Sequence, residues 1–428
     1  MTKYTKLVSL IAFGVLTLSG YTFYQQTTQA EKLSVELVSE EGEPDALDNL
    51  YFVGQVINMS ANFNRGQTFE YSEGNITFID NLPFLERVDY HFTRNMNRYT
   101  DDYRSFMRGK SRQPSNFAET EEHLVYTGMK SDVNWRVFND NNLTISVLDK
   151  ETTEEQDYEV VLNGGSNQSV TSTYVNYPSL TVVTQVLDDN ILNNWFIYEF
   201  NLEEPQEELE PAVNFGSEFN TEHISFASNE DKTARFIPFR TMNVASTDEY
   251  GHADLIPGDY YAYDTQSGEI KAAPETDEDD ENEYIVLSEE NTLLIGRDLG
   301  DSIEWSRWDF DEESLSDIGA SEMDTPTIGR GRVHYYDSLF NQGLQLIDGH
   351  LYAFEEGYSD DVSRSMNDDD YQNLDDVYHE RMSRPQFQVI DMDTIDTVFS
   401  GYFTHGQEDE SSNINLTLFD YGYSKFSN

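Results

Sequence analysis

The sequence predicts an all-β fold built from small antiparallel sheets that recur along the chain. Its 428 residues include 27 tyrosines and 26 phenylalanines, and long alanine- and leucine-rich helical patterns are absent. Aromatic residues are enriched in strands. Large apolar residues also alternate with polar ones over short runs, as in a strand with one buried face. The third observation is an acidic or amide residue at a strand end, followed by a polar turn, which returns several times.

The clearest copy of this pattern occupies residues 260–270, Tyr-Tyr-Ala-Tyr-Asp-Thr-Gln-Ser-Gly-Glu-Ile. Asp264 can accept a hydrogen bond from the backbone two residues further on, and Gly268 can adopt the positive φ that such a turn needs. The apolar strand before Asp264 and the return strand after Gly268 therefore predict a hairpin.

Looser copies place strand ends at residues 149, 201, 264, 309, 355 and 391, at intervals of 52, 63, 45, 46 and 36 residues. Asn201 and Glu355 stand where the other copies have aspartate. Repeats of about 40–50 residues with several short strands are typical of propeller blades. We therefore expect residues 31–428 to form a single β-propeller of about seven blades, between six and eight. Tandem β-sandwiches are the alternative.

The segment Tyr-Ala-Tyr-Asp-Thr-Gln-Ser-Gly-Glu, residues 261–269, resembles the turn between the outer strands of blades in quinoprotein-like propellers. The resemblance covers about ten residues per repeat, and most copies lack a tryptophan that could dock neighbouring blades. It implies a propeller fold, and it carries no catalytic residue across to this chain.

The alternation predicts strands, in chain order, at residues 33–38, 50–58, 67–78, 124–126, 135–138, 143–148, 157–162, 179–187, 193–200, 224–226, 234–238, 260–264, 284–287, 292–297, 303–310, 386–390, 397–404 and 414–420. The strands at 33–38 and 414–420 are expected to pair in one blade and so close the ring. The acidic run 275–283 lacks the central glycine of a calcium-binding loop, so it is expected to be a solvated hairpin tip. Residues 359–382 are expected to form a short helix or loop at a sheet edge.

The N-terminal region has the pattern of an export signal. Lys3 and Lys6 precede an uncharged apolar run at residues 7–24, and Glu31 is the first acid. A positive flank before an apolar run stays in the cytoplasm, so the following chain is expected outside. About 18 apolar residues is close to the lower limit for spanning a bilayer. Residues 1–30 are therefore either a cleaved signal peptide, giving a secreted protein, or a retained anchor, giving a single-pass membrane protein with an extracellular C-terminal domain.

The net charge of −55 comes from 81 acids against 26 bases. At molar salt the Debye length falls to about 3 Å, which largely removes repulsion between surface carboxylates. The composition therefore indicates a folded protein adapted to saline or alkaline surroundings, and it disfavours nucleic-acid binding. The chain has no cysteine, which excludes disulfides and thiolate metal sites.

Residues 83–112 are unusually basic for this chain, because they hold seven of its 26 bases: Arg87, Arg94, Arg98, Arg104, Arg108, Lys110 and Arg112. One interpretation is a docking patch formed by Arg94, Arg98, Arg104 and Arg108 for an envelope protein or an anionic cell-wall polymer. The other is that these bases neutralise acids of the same fold. The strongly acidic composition favours the second interpretation.

No motif in the sequence predicts a catalytic, metal or cofactor site. The eight histidines are scattered, and no His-x-x-x-His pair, Gly-x-Ser-x-Gly turn or phosphate-binding glycine loop is present. A glycoside hydrolase or lyase using paired carboxylates is the alternative, since that chemistry requires only two correctly separated acids. The sequence favours a non-catalytic exported surface protein acting in recognition, sensing or scaffolding at the cell envelope, because propeller loops from many blades share one face.

Overall fold

The computed structural model describes residues 34–47, 50–58, 65–72, 74–83, 94–130, 141–165, 167–186, 194–219, 223–226, 232–247, 253–274, 284–289, 291–298, 302–321, 344–347, 349–355, 386–405 and 414–423. Four of the predicted segments lie wholly outside these residues: 1–30, 135–138, 275–283 and 359–382. In the part of the chain that is described, no helix is long and apolar enough to cross a membrane.

The described residues are almost entirely strands joined by short turns. The chain enters through β1 (Val35–Gly42), β2 (Leu50–Asn58), β3 (Arg65–Ser72) and β4 (Asn75–Phe78). Helix α1 (Arg94–Asp102) precedes β5 (Phe117–Glu119), β6 (His123–Met129), β7 (Asn142–Asp149) and β8 (Glu155–Leu162). Next come β9 (Gln168–Asn176), β10 (Ser179–Val186), β11 (Trp195–Asn201), β12 (Glu208–Leu209), β13 (Val213–Asn214) and the short helix α2 (Phe215–Glu218).

The second half of the chain continues in the same way. It contains β14 (His223–Phe226), β15 (Phe236–Thr247), β16 (Ala253–Asp264) and β17 (Ile270–Ala272), followed by β18 (Tyr284–Glu289), β19 (Thr292–Asp298), β20 (Ile303–Asp309) and β21 (Ser314–Ser321). The last strands are β22 (Leu344–Ile347), β23 (His350–Glu355), β24 (Gln386–Asp391), β25 (Thr397–His405) and β26 (Ile414–Tyr423). Single 3-10 turns cover Pro44–Leu47, Ile79–Asn81 and Pro114–Asn116.

These strands form six sheets within the described residues, and we number them as blades in chain order. Blade 1 has the strand order β26-β2-β3-β4, blade 2 β5-β6-β7-β8-β12, blade 3 β9-β10-β11-β13, blade 4 β14-β15-β16-β17, blade 5 β18-β19-β20-β21 and blade 6 β22-β23-β24-β25-β1. The six sheets of the described residues correspond to the lower end of the blade range expected from the repeat length. Among the strands of the described residues, every pair is antiparallel except that of β8 with β12.

Apolar cores join successive blades face to face, from blade 2 to blade 6 and from blade 6 to blade 1. Because side chains alternate along a strand, one strand serves two cores. In β10, Leu180 and Val182 pack towards blade 2, whereas Val183 packs towards blade 4. Blades 3 to 6 share a core with a neighbouring sheet on each face, as propeller blades do, whereas a β-sandwich has one core between two sheets. The prediction of an all-β propeller is confirmed.

The first and last described strands both take part in closing the ring, but in different blades. Strand β26 pairs with β2, from Leu50 opposite Tyr423 to Asn58 opposite Ile414. Strand β1 pairs with β25 and adds a fifth strand to blade 6. The prediction that β1 and β26 pair with each other was therefore wrong. Each instead completes one of the two blades that share the core containing Phe52, Phe69 and Phe403.

The third strand of blades 2 to 6 ends in the same turn. The side-chain oxygen at the strand end accepts the backbone N–H two residues on, at 3.0 Å for Asp149, 2.9 Å for Asn201, 2.9 Å for Asp264, 2.8 Å for Asp309 and 2.8 Å for Asp391. The predicted strand-end turns at these five positions are confirmed. Glu355 was wrongly included, because it ends β23, the second strand of blade 6.

A second bond shows where these turns lie in each blade. In each of these blades, the residue directly after the strand-end residue donates its backbone N–H to a carbonyl in the loop that joins the first two strands. The pairs are Lys150 with the Glu122 carbonyl (2.8 Å), Leu202 with Pro178 (2.9 Å), Thr265 with Arg235 (2.9 Å), Phe310 with Asn291 (3.0 Å) and Met392 with Gly349 (2.8 Å). Both loops therefore lie at one end of each blade, which we call the turn face.

Candidate functional site

The connection from blade 1 to blade 2 is built differently from the other junctions. Its helix α1 and the following turns bury Met96, Tyr99, Phe106 and Met107 against β5, β6 and β7 of blade 2. The face of blade 1 turned away from blade 6 is instead covered by Ile79 and Leu82, which directly follow β4. Among the described residues, no apolar core joins the sheets of blades 1 and 2 directly.

A buried carboxylate holds this connection to blade 2. Glu119 on β5 has a side chain only 5% exposed. It accepts hydrogen bonds from both terminal nitrogens of Arg98, from Lys150 Nζ at 2.9 Å and from the Tyr99 hydroxyl at 2.9 Å. Two cations and a hydroxyl compensate for the loss of water around the carboxylate.

The environment of Tyr99 fits a structural role for this cluster. Burial, the charge of Glu119 and the hydrogen bond to it raise the pKa of Tyr99 well above its usual range. Arg98 extends across the Tyr99 ring, with its guanidinium carbon 5.0 Å from the ring centre. Since three side chains donate four hydrogen bonds to Glu119, this carboxylate is arranged to fix α1 in place.

Lys110 is a second base of the segment that is used inside the fold. Its Nζ donates to the Phe106 carbonyl at 2.7 Å and to Glu155 Oε1 at 2.7 Å. The same ammonium lies 3.9 Å from the centre of the Phe106 ring. Arg98 and Lys110 therefore neutralise acids of blade 2, as the internal interpretation of the basic segment predicts.

Arg104 and Arg108 are placed differently, because both are exposed. They lie four residues apart in a run of turns that is closed by bonds from Met107 N–H to the Tyr103 carbonyl and from Arg108 N–H to the Ser105 carbonyl. Phe106 and Met107 between them turn into the core. Within the described part of the chain, neither arginine has a carboxylate within 4 Å. Arg94 is the first residue of α1, and the structure describes its backbone only.

The predicted site residues therefore do not form one patch. Arg98 belongs to the Glu119 cluster, while Arg104 and Arg108 remain as an exposed pair. The sequence located the basic segment but could not assign its members, because the partners of Arg98 and Lys110 lie 21 and 45 residues further along the chain. The amphipathic pattern of the segment was the available signal: apolar residues at 96, 99, 106 and 107 flank charged ones.

A second buried carboxylate of the described residues with a strong ionic partner is Asp264, in blade 4. Burial alone would raise the pKa of Asp264, but hydrogen bonds from Arg235, the Gln266 N–H and Ser267 lower it to about 2. Arg235 also donates to Asp311 of blade 5 at 2.6 Å. This group ties the strand-end turn of blade 4 to the neighbouring blade. In the described residues, no group of three or more histidine, aspartate and glutamate side chains is placed to hold a metal ion.

Comparisons with known proteins give no family for this chain. No protein-family model matches the sequence, and no curated protein matches it either.

Several solved structures resemble its fold. TolB from Acinetobacter baumannii is 11% identical over 87% of this chain and 67% of that one, with a TM-score of 0.30. The β-propeller domain of the Trilobed protease from Pyrococcus furiosus is 9% identical over 72% and 82%, with a TM-score of 0.32. Oligogalacturonate lyase from Vibrio parahaemolyticus is 8% identical over 86% and 85%, with a TM-score of 0.37. Likeness at this level carries no functional argument, so the site is interpreted from its own geometry.

Proposed function

We propose that this protein is a non-catalytic recognition protein of the cell envelope, which uses Arg104 and Arg108 to dock an anionic cell-wall polymer. The observation that supports the proposal most directly is the state of these two side chains. Both are exposed and have no carboxylate within 4 Å among the described residues, in a chain with 81 acids. Exposed bases left unpaired on so acidic a surface are available to an external anion.

The chemistry of arginine suits this role. Its planar guanidinium donates two parallel hydrogen bonds to a phosphate or carboxylate group. The net charge of −55 repels a polyanion from the molecule as a whole. At the salt concentrations that screen this repulsion, contacts between directly bonded groups persist better than long-range ones. A local arginine pair therefore supports binding in saline surroundings.

The proposed place of action follows from residues 1–30. Lys3 and Lys6 before the apolar run of residues 7–24 support export, with the propeller outside the membrane. A retained run would anchor the propeller next to the wall, whereas cleavage would release it. If the protein is anchored, protease added to intact cells is expected to digest its C-terminal region, and complete protection would contradict this topology.

The acidic surface supports a saline or alkaline setting. Repulsion within one fold weakens as salt rises, so the melting temperature is expected to increase from low to molar sodium chloride. A melting temperature that stays constant across this range would exclude screening as the main effect.

The docking proposal is tested by neutralising the arginine pair, R104Q/R108Q. The matched control K130Q/R307Q removes the same charge from two other bases, which pair with Glu159 and Asp393. Co-sedimentation with purified cell walls measures binding. We expect a loss on the order of tenfold for the first variant, since each contact is a charge-assisted hydrogen bond, and little change for the control.

Stability measurements separate docking from folding. Both arginine side chains are exposed, so the melting temperature of R104Q/R108Q should match that of the unaltered chain. Equal binding of R104Q/R108Q and the unaltered protein would overturn the docking proposal. A lower melting temperature with unchanged wall binding would instead support a purely internal role.

A further inference from the structure

A stacked pair of rings bridges blades 2 and 3 on the turn face. Tyr177, in the loop between β9 and β10, is 47% exposed. Its ring lies parallel to that of His123, at the start of β6, with centroids 4.4 Å apart and planes 2° apart. His123 covers one face of the tyrosine ring. The remaining exposed surface of Tyr177 is available to a ligand.

Hydrogen bonds connect the loops that carry this pair to turns rich in exposed carboxylates. The bond from Lys150 N–H to the Glu122 carbonyl joins two turns of blade 2, and the bond from Leu202 N–H to the Pro178 carbonyl joins the corresponding turns of blade 3. The stacked rings connect the two sets. These turns expose six carboxylates: Glu121, Glu122, Glu151, Glu154, Glu203 and Glu204. Together with Tyr177 and His123 they form what we call the Tyr177 surface.

No described cation of these turns neutralises that surface. The lysine within them, Lys150, directs its Nζ to Glu119 at 2.9 Å and to the Thr120 carbonyl at 2.8 Å, so it is engaged inside the fold. Elsewhere in the same chain, bases lie over aromatic rings: Arg240 is 4.3 Å from the centre of the Tyr260 ring, and Arg235 is 4.8 Å from that of Phe236. Tyr177 offers the same ring chemistry on the outside, with excess negative charge around it.

We propose that the Tyr177 surface binds an arginine side chain from a basic segment of a partner protein. A guanidinium stacks on an aromatic face and at the same time donates to carboxylates at its edge. The stacked ring supplies the first interaction, and the glutamates of the neighbouring turns supply the second. Lysine fits less well, because its ammonium is strongly hydrated and cannot stack as a plane.

This surface is independent of the Arg104–Arg108 pair and selects the opposite charge. A scaffold with one basic and one acidic recognition surface can hold two different partners. The two surfaces are tested with different ligands, cell walls for the arginine pair and a basic peptide for the Tyr177 surface.

The test uses the purified full-length chain and two labelled pentapeptides, Gly-Arg-Gly-Arg-Gly and Gly-Lys-Gly-Lys-Gly, at an ionic strength of about 0.15 M to reduce long-range attraction. Fluorescence anisotropy measures the dissociation constants. We expect the arginine peptide to bind more tightly than the lysine peptide. Y177L should weaken arginine binding about two- to five-fold, the range of an exposed cation–ring contact, whereas Y177F should retain it.

A charge-matched pair of variants separates a site from general attraction to an acidic protein. E122Q/E203Q removes two carboxylates of the Tyr177 surface, and E269Q/E312Q removes two exposed carboxylates from turns of blades 4 and 5. The first variant should lose several-fold more affinity than the second. Equal losses, or unchanged binding by Y177L, would overturn the proposal. Concentration-dependent self-association that R104Q/R108Q abolishes would also overturn it, by assigning the surface to a second copy of this chain.

Discussion

The five junctions between facing sheets and the connection from blade 1 to blade 2 are held by different forces. At the junction of blades 6 and 1, Phe52 lies within 5.6 Å of the ring centres of Tyr71, Phe387 and Phe403. In the connection, apolar side chains of α1 cover one sheet, and the Glu119 cluster supplies its ionic contacts. The apolar junctions define the ring, whereas the connection leaves Arg104 and Arg108 exposed to solvent.

This difference shows where a regular repeat can acquire a recognition element. Facing sheets bury both of their surfaces and offer only loops to a partner. A helical connection has one face on blade 2 and the other in water, so its outer side chains are not constrained by packing. Breaking each kind of junction should therefore have distinct consequences.

The largest effect is expected for Phe52→Ala. Phe52 is fully buried between blades 1 and 6. Removal of such a ring leaves a cavity and costs about 3–5 kcal/mol of unfolding free energy. Denaturant unfolding followed by tryptophan fluorescence measures this loss.

Phe106→Ala is the comparison variant at the connection, since Phe106 is equally buried but packs α1 and its turns onto one sheet. We expect it to loosen residues 94–116 locally and to lower the global unfolding free energy less than Phe52→Ala does. Equal global losses would show that the connection is as integral to the ring as the facing sheets.

A smaller effect is expected for Glu119→Gln. The amide cannot compensate for both Arg98 and Lys150, which leaves two partly buried cations close together. The unfolding free energy should fall by about 2 kcal/mol. Glu159→Gln is the matched control, because Glu159 pairs with Lys130 and both side chains are at least half exposed. An exposed pair contributes about 0–1 kcal/mol, so the control should change little. Similar losses in both variants would argue against the Glu119 cluster as the polar anchor.

The smallest effect concerns the strand-end turns. The residue four places after the first turn position has positive φ in four blades: Thr153 (59°), Gly268 (73°), Glu313 (49°) and Ile395 (60°). Residues other than glycine are strained at positive φ. Thr153→Gly should therefore stabilise the protein by about 0.5 kcal/mol, and Gly268→Ala should destabilise it by about 1 kcal/mol. Thermal unfolding checks both signs, and a destabilised Thr153→Gly would contradict the equivalence of the turns.

The strand-end turns could be predicted from sequence because their chemistry is local. Asp264 and Asp309 bond backbone groups two residues away, and the alternating apolar strand precedes them directly. Glu355 was misassigned because an acid at a strand end also occurs on a second strand. A strand-end turn on a third strand is distinguished by a hydrogen bond from the residue after the strand-end acid to the loop between the first two strands. That loop is distant in sequence, so the bond is not visible in a local pattern.

The remaining features depend on contacts between distant residues. Arg98 meets Glu119 across 21 residues, and the stacked Tyr177 lies on a different blade from His123. The separate pairing of β1 with β25 and of β26 with β2 depends on the order in which the sheets meet. Sequence periodicity specifies that strands form, but it does not specify which edge each strand joins.

Hydrogen exchange with and without purified cell walls tests the central claim most directly. Residues 103–110 of the connection are compared with residues 265–269, the corresponding exposed turn of blade 4. If Arg104 and Arg108 dock a wall polymer, amides of 103–110 should become protected when walls are present, while 265–269 should stay unchanged, and R104Q/R108Q should abolish the protection. Unchanged exchange at 103–110 despite wall binding, or protection that persists in R104Q/R108Q, would contradict the claim.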